Sequence, residues 1–75
     1  MAKFVVHSSL YRALEQTPPG GEIRGSVHSH GKLSGACEVI AGGRRPIKCN
    51  VRLAINKGGR RRASGRNIEV IFRKR

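Results

Sequence analysis

Acidic side chains are scarce in this sequence: aspartate is absent, and 4 glutamates stand against 16 lysines and arginines in 75 residues. The formal net charge is therefore +12 at pH 7, and the isoelectric point is about 11.6. A chain this basic attracts polyanions and accelerates encounter with them, whereas its self-repulsion opposes compaction. The charge balance predicts a nucleic acid or a ribonucleoprotein as the partner.

Aromatic side chains are also few, because tryptophan is absent and only Phe4, Tyr11 and Phe72 are present. Apolar residues make up 37% of the chain, which is less than in most globular domains. We expect a small, mainly aliphatic core that contributes only about 3–5 kcal/mol of net stability. The length suits a single small basic domain, residues 1–75, and excludes a catalytic cleft between two domains.

Long apolar runs are missing as well. No stretch approaches the roughly 18 residues that cross a bilayer, and the N-terminus lacks the apolar segment of a secretory signal. The sequence therefore predicts a cytoplasmic, intracellular protein with no membrane partner. In that compartment the two cysteines, Cys37 and Cys49, are expected to stay reduced, and two alone make no disulfide framework.

The first 21 residues predict a strand followed by a short helix. Positions 4–6 are β-prone, and a serine at 8 or 9 is suited to begin a helix that ends at Gln16. One face of that helix carries three apolar residues at i, i+3 and i+4: Leu10, Ala13 and Leu14. Residues 17–21 contain two prolines and two glycines and end the helix.

The rest of the chain predicts antiparallel strands. Apolar and polar residues alternate most clearly from Ile47 to Ile55. A turn at 42–44 folds this strand back on the preceding one and sets two pairs opposite each other: Cys37–Cys49 and Glu38–Lys48. Upstream, a loop at 30–32 gives three further pairs: Val27–Gly35, Ile23–Val39 and Arg24–Glu38. Downstream, the alternation gives another three: Ile55–Ile68, Leu53–Val70 and Val51–Phe72.

These pairings predict an α+β fold that is mostly β. A short N-terminal strand and helix precede a four-stranded antiparallel meander, which lies under the helix or curls into a small barrel. The segment 57–66 is then left as a hairpin loop between the last two strands.

That loop is the most biased segment, with five cations, three glycines and no acid in ten residues. A hairpin closes with about two to five loop residues, so this segment is longer than closure requires. Arginine binds phosphate through two parallel hydrogen bonds, and glycine lets the backbone approach a ligand. We predict a flexible basic hairpin loop that binds phosphates through Lys57, Arg60, Arg61, Arg62 and Arg66. A solvated hairpin tip is the alternative.

The outer face of the predicted sheet is the second candidate surface. The register places His28 and four cations on it: Arg24, Lys48, Arg52 and Arg73. A basic tail at 73–75 adds to this charge. No aromatic residue falls on the face, which favours contact with the phosphate backbone over base stacking. RNA is slightly preferred over DNA, because no helix is long or basic enough for a major groove. An ordinary solvated face is the alternative.

No motif points to catalysis, a cofactor or a metal. His28, His30 and the two cysteines lack the spacing of zinc ligands. A ribonuclease-like toxin that uses His28 or His30 is a further alternative, but it would need a histidine beside a glutamate or a second histidine across a cleft, which the register does not provide.

We therefore predict a non-enzymatic nucleic-acid-binding protein. The alternative is a small inhibitor or adaptor, such as phages and mobile elements encode, that docks on an acidic surface of a polymerase or nuclease. The sequence leaves the oligomeric state open.

Overall fold

A computed structural model describes residues 2–28, 33–54 and 68–75. Six elements follow one another in the chain: β1 (Ala2–Val5), α1 (Ser8–Glu15), β2 (Glu22–Val27), β3 (Gly35–Ile40), β4 (Ile47–Leu53) and β5 (Ile68–Lys74). The predicted fold class is confirmed: one short helix lies against a five-stranded mixed sheet that curls into a half-barrel.

The strands lie in the order β1-β3-β4-β5-β2. β1 runs parallel to β3, so the first strand joins the same sheet and the sheet is not a pure meander. The antiparallel run β3-β4-β5 has the predicted register, as four pairs show: Cys37–Cys49, Glu38–Lys48, Val51–Phe72 and Leu53–Val70. The predicted Ile55–Ile68 pair and the loops at 30–32 and 57–66 lie outside the described residues.

The predicted partner of β2 is wrong. β2 lies beside β5, where Ile23 is opposite Phe72 and Val27 is opposite Ile68, so three predicted pairs do not form: Val27–Gly35, Ile23–Val39 and Arg24–Glu38. The edge of β3 is taken instead by β1, with Phe4 opposite Val39. An alternating strand fits beside any neighbour that alternates in phase, and alternation therefore does not select the partner.

The curl of the sheet brings Phe4 of β1 against Phe72 of β5. Their ring centroids are 5.8 Å apart and their planes meet at 69°. In a flat sheet β3 and β4 would hold these two strands about 14 Å apart, three spacings of about 4.8 Å. The rings belong to a core of eleven buried residues: Phe4, Tyr11, Leu14, Val27, Cys37, Val39, Ala41, Cys49, Val51, Val70 and Phe72.

Helix α1 covers the inner face of the sheet and begins one residue earlier than the serines predict. The N-cap is His7, whose Nδ1 accepts a hydrogen bond from the backbone N–H of Ser9 at 3.2 Å. Leu14 is buried as predicted, but Tyr11 takes the core position expected for Ala13, which is exposed. Within the described residues, no helix has the length and apolar character needed to cross a membrane.

Candidate nucleic-acid interface

The outer face of the sheet, opposite the core, carries all four cations predicted for it. Arg24, Lys48, Arg52 and Arg73 alternate with the inward-facing residues of β2, β4 and β5, and each is exposed. Three of the four glutamates share this face: Glu22, Glu38 and Glu69. The outer face is therefore mixed in charge, more so than the excess of arginine and lysine in the sequence suggests.

Two of the predicted cations bind neighbouring carboxylates. Arg52 donates to both carboxylate oxygens of Glu22, at 2.8 and 3.4 Å, and this hydrogen bonding is the main reason that the pKa of Glu22 lies below its usual value. Arg24 lies 3.7 Å from Glu69. Exposed pairs of this kind add little stability, but they partly neutralise Arg24 and Arg52 as phosphate ligands.

Four exposed side chains form a second group near the C-terminal end of β5, which we call the β4–β5 patch: Lys48, Asn50, Arg73 and Arg75. Arg73 lies directly opposite Asn50. The backbone N–H of Arg75 donates to the carbonyl of Lys48 at 3.2 Å, and its Nε donates to Oδ1 of Asn50 at 3.2 Å. Among residues 2–28, 33–54 and 68–75, no carboxylate forms an ion pair with the three cations of the patch.

The sequence predicts only half of this patch. Lys48 and Arg73 are among the expected ligands, whereas Asn50 and Arg75 are missed. Arg73 and Lys74, assigned to a tail, lie within β5, and Arg75 remains hydrogen-bonded to β4. The spacing of the two arginines could have revealed the missed residues. Residues 73 and 75 lie on one side of a strand, so extending the register past Lys74 places both arginines beside Asn50.

The predicted loop residues Lys57, Arg60, Arg61, Arg62 and Arg66 lie outside the described part of the chain. Their segment joins the end of β4 to the start of β5, and both of these ends lie away from the β4–β5 patch. From Ile68 to Arg75 the strand extends about 23 Å, at about 3.3 Å per residue. The bound pairs Arg52–Glu22 and Arg24–Glu69 lie between the two ends, so neutralised cations separate the patch from the strand ends that flank the loop.

An open cavity of about 530 Å³ lies between α1 and the turn that joins β3 to β4. Two arginines line it, Arg44 and Arg45. Arg44 lies 3.7 Å from Glu15 and stacks over the ring of Tyr11, 5.3 Å from the centroid. Nζ of Lys74 donates to the backbone carbonyl of Glu15 at 2.8 Å, at the negative end of the helix dipole. Arg44 and Lys74 thus stabilise the junction of helix and turn, and Arg45 is the remaining cation of this cavity, with no ion pair among the described residues.

The histidines and cysteines are not assembled into a reactive group in the described residues. Nδ1 of His7 lies 3.0 Å from Oγ of Ser9, and His28 is an exposed residue after β2. Cys37 and Cys49 face each other in the core with their sulfurs 3.0 Å apart, and burial raises the pKa of both thiols. No cluster of three or more potential metal ligands occurs in this part of the chain. His30 lies outside it.

No protein-family model, curated protein or solved structure matches this chain.

Proposed function

We propose that this chain is a non-enzymatic nucleic-acid-binding protein that contacts the phosphate backbone through the β4–β5 patch and the loop 57–66. The observation that carries the proposal is the patch itself, in which three cations surround an amide on an exposed sheet surface and none forms an ion pair within 4.0 Å of a described carboxylate, although Glu38 lies opposite Lys48 and Glu22 lies opposite Arg73 in the register. Hydrogen bonds from arginine to phosphate are charge-assisted and about twice as strong as neutral ones.

The positions of the aromatic residues support contact with the backbone over contact with bases. All three aromatic side chains of the chain are buried: Phe4, Tyr11 and Phe72. The protein therefore offers no exposed ring on which a base can stack. Helix α1 has eight residues and a single cation, Arg12, and it uses Tyr11 and Leu14 to pack on the core. A helix that is this short and is packed on the core is poorly suited to bind in a major groove, which slightly favours RNA as the partner.

Arg24 and Arg52 are secondary ligands in this proposal. Each would exchange a carboxylate for a phosphate when nucleic acid binds, so the net gain is smaller than for a cation without such a partner. The β4–β5 patch and the loop 57–66 supply the main contacts, and the paired arginines between them adjust to the bound strand.

The test is the salt dependence of binding, measured by fluorescence anisotropy with duplex DNA and single-stranded RNA from 50 to 200 mM salt. Neutralising about five phosphates gives a log–log slope of about −4.5 on duplex DNA. Replacing Arg60, Arg61 and Arg62 by glutamine should weaken that slope by about 2.7. Arg12→Gln removes a charge from the helix, serves as the control and should leave the slope unchanged. An affinity that does not respond to salt would refute the proposal.

Pull-down from nuclease-treated lysate separates this function from the adaptor alternative. If nucleic acid is the partner, treatment should remove the co-purifying proteins, and RNA fragments should be recovered from untreated samples. A protein retained in stoichiometric amount after treatment would instead support an inhibitor or adaptor. RNA that stays intact after long incubation with the purified protein is the result expected of a non-enzymatic binder.

A further inference from the structure

An open cavity of about 330 Å³ lies within the β4–β5 patch. Its walls come from Asn50 on β4, from Arg73, Lys74 and Arg75 at the end of β5, and from Gly20 just before β2. The backbone here is held by hydrogen bonds: the N–H of Gly20 donates to the carbonyl of Lys74 at 2.8 Å, and the N–H of Lys74 donates to the carbonyl of Gly21 at 2.9 Å. The two arginines are thus presented from a well-paired strand.

The carboxylate nearest in the register is engaged elsewhere. Glu22 is the cross-strand partner of Arg73, whose charge contributes to the lowered pKa of this carboxyl, but both of its oxygens accept hydrogen bonds from Arg52. The amino group of Lys74 is directed to the opposite side of the sheet, where it donates to the carbonyl of Glu15. The charge that lines this cavity therefore comes from the guanidinium groups of Arg73 and Arg75.

Asn50 orients one of these groups. Its Oδ1 accepts the hydrogen bond from Nε of Arg75, which leaves the four terminal N–H groups of that guanidinium for a ligand. With the amide oxygen engaged in this way, the amide N–H groups of Asn50 also stay available as donors. Two guanidinium groups and one amide then surround a concave space that suits an anion with several acceptor oxygens.

We propose that this cavity binds the terminal phosphate of a nucleic-acid strand, so that the protein prefers strand ends that carry a phosphomonoester. A phosphomonoester has a charge of about −1.5 to −2 at pH 7 and three acceptor oxygens, whereas a phosphodiester within a strand has one charge and two free oxygens. Placing two arginines around one concavity is unfavourable until an anion binds, and a dianion compensates both charges. This inference rests on the proposed function and adds a specificity for strand ends.

The experiment compares one oligonucleotide sequence in three forms, with a 5′-phosphate, with a 3′-phosphate and with hydroxyls at both ends. Anisotropy titrations at 150 mM salt should show at least tenfold tighter binding of one phosphorylated form. Arg73→Gln and Arg75→Gln should each abolish most of this preference. Arg12→Gln removes a charge of the same sign from the helix and should preserve the preference for the phosphorylated form. All three side chains are exposed, and circular dichroism should show that each variant keeps the wild-type fold.

The outcomes separate this inference from the proposed function. Equal affinity for the three forms would overturn the inference while leaving nucleic-acid binding intact. Binding of none of them would overturn both, whatever inorganic phosphate does. A preference that survives both arginine substitutions would place the phosphate elsewhere and also overturn the inference. In a parallel NMR titration with inorganic phosphate, the side-chain amide of Asn50 and Nε–H of Arg75 should shift, and unchanged signals would contradict the proposed cavity.

Discussion

Tyr11 donates its hydroxyl hydrogen to the backbone carbonyl of Arg45 at a distance of 2.6 Å. This bond joins α1 to the turn between β3 and β4, which are 34 positions apart in the sequence. The same ring is buried in the core and lies under the guanidinium of Arg44. Tyr11 therefore connects the helix, the core and one end of the sheet, and it explains why this residue and not Ala13 faces inward.

Tyr11→Phe should lower the free energy of unfolding by about 0.5–1.5 kcal/mol, the usual contribution of one such hydrogen bond. The ring stays in place, and only the partner of the Arg45 carbonyl is removed. Urea titration followed by circular dichroism measures the change. Thr17→Val is the matched control, because it removes an exposed hydroxyl bond to the carbonyl of Ala13, and it should cost less. Equal losses for the two variants would contradict this role of Tyr11.

The buried thiols make stability depend on pH. Burial raises the pKa of Cys37 and Cys49 above the ordinary thiol value, so the unfolded chain releases thiol protons at a pH where the folded chain keeps them. Stability should therefore fall as pH rises above about 8.5, by up to about 1.4 kcal/mol per pH unit for each thiol. Urea titrations at pH 8, 9 and 10 test this, and Cys37→Ala should fall less steeply. Parallel slopes for wild type and variant would rule out the thiols as the cause.

The register of β3, β4 and β5 could be predicted because it is encoded locally. Alternation sets the faces, and the turn at 42–44 includes Gly43, whose φ of +72° is the left-handed conformation that glycine favours. The pairing of β1 with β3 and of β2 with β5 could not be predicted in this way. Both contacts join strands that are not consecutive in the chain, whereas β3, β4 and β5 follow one another, and the core contacts that decide between candidate partners are not visible in a period-2 pattern.

The candidate interface, too, could be predicted from the sequence only in part. Alternation alone placed Arg24, Lys48, Arg52 and Arg73 on the outer face, and the structure has them there. Which of them are neutralised depends on the neighbour of β2, since Glu22 reaches Arg52 across β5. The wrong partner predicted for β2 therefore did not affect which face each cation occupies. It did affect which carboxylate each cation was expected to pair with.

If the loop 57–66 and the β4–β5 patch both contact nucleic acid as proposed, the length of β5 predicts a minimum length for the bound nucleic acid. About 23 Å of β5 lies between the start of the strand and Arg75, at about 3.3 Å per residue. This corresponds to about seven base pairs of duplex at about 3.4 Å each. Hairpin DNAs with stems of 4, 8 and 12 base pairs should therefore bind with affinity that rises sharply from 4 to 8 and little thereafter.

The loop variant provides the control for this length dependence. Replacing Arg60, Arg61 and Arg62 by glutamine removes cations of the proposed loop contact and should flatten the increase between 4 and 8 base pairs. A length dependence identical to that of wild type would show that a single region makes all the contacts.

Glu22→Gln should strengthen nucleic-acid binding. The substitution removes a carboxylate opposite Arg73 and releases Arg52 from its two hydrogen bonds, which adds one cation to the outer face for contact with phosphate. One more neutralised phosphate steepens the log–log salt slope by about 0.9 on duplex DNA and raises affinity about eightfold near 0.1 M salt. Glu15→Gln makes the same charge change beside Arg44, on the helix side of the sheet, and should have a clearly smaller effect. If the two variants gained equally in affinity, net charge alone would account for the increase. That result would contradict the outer face as the binding surface.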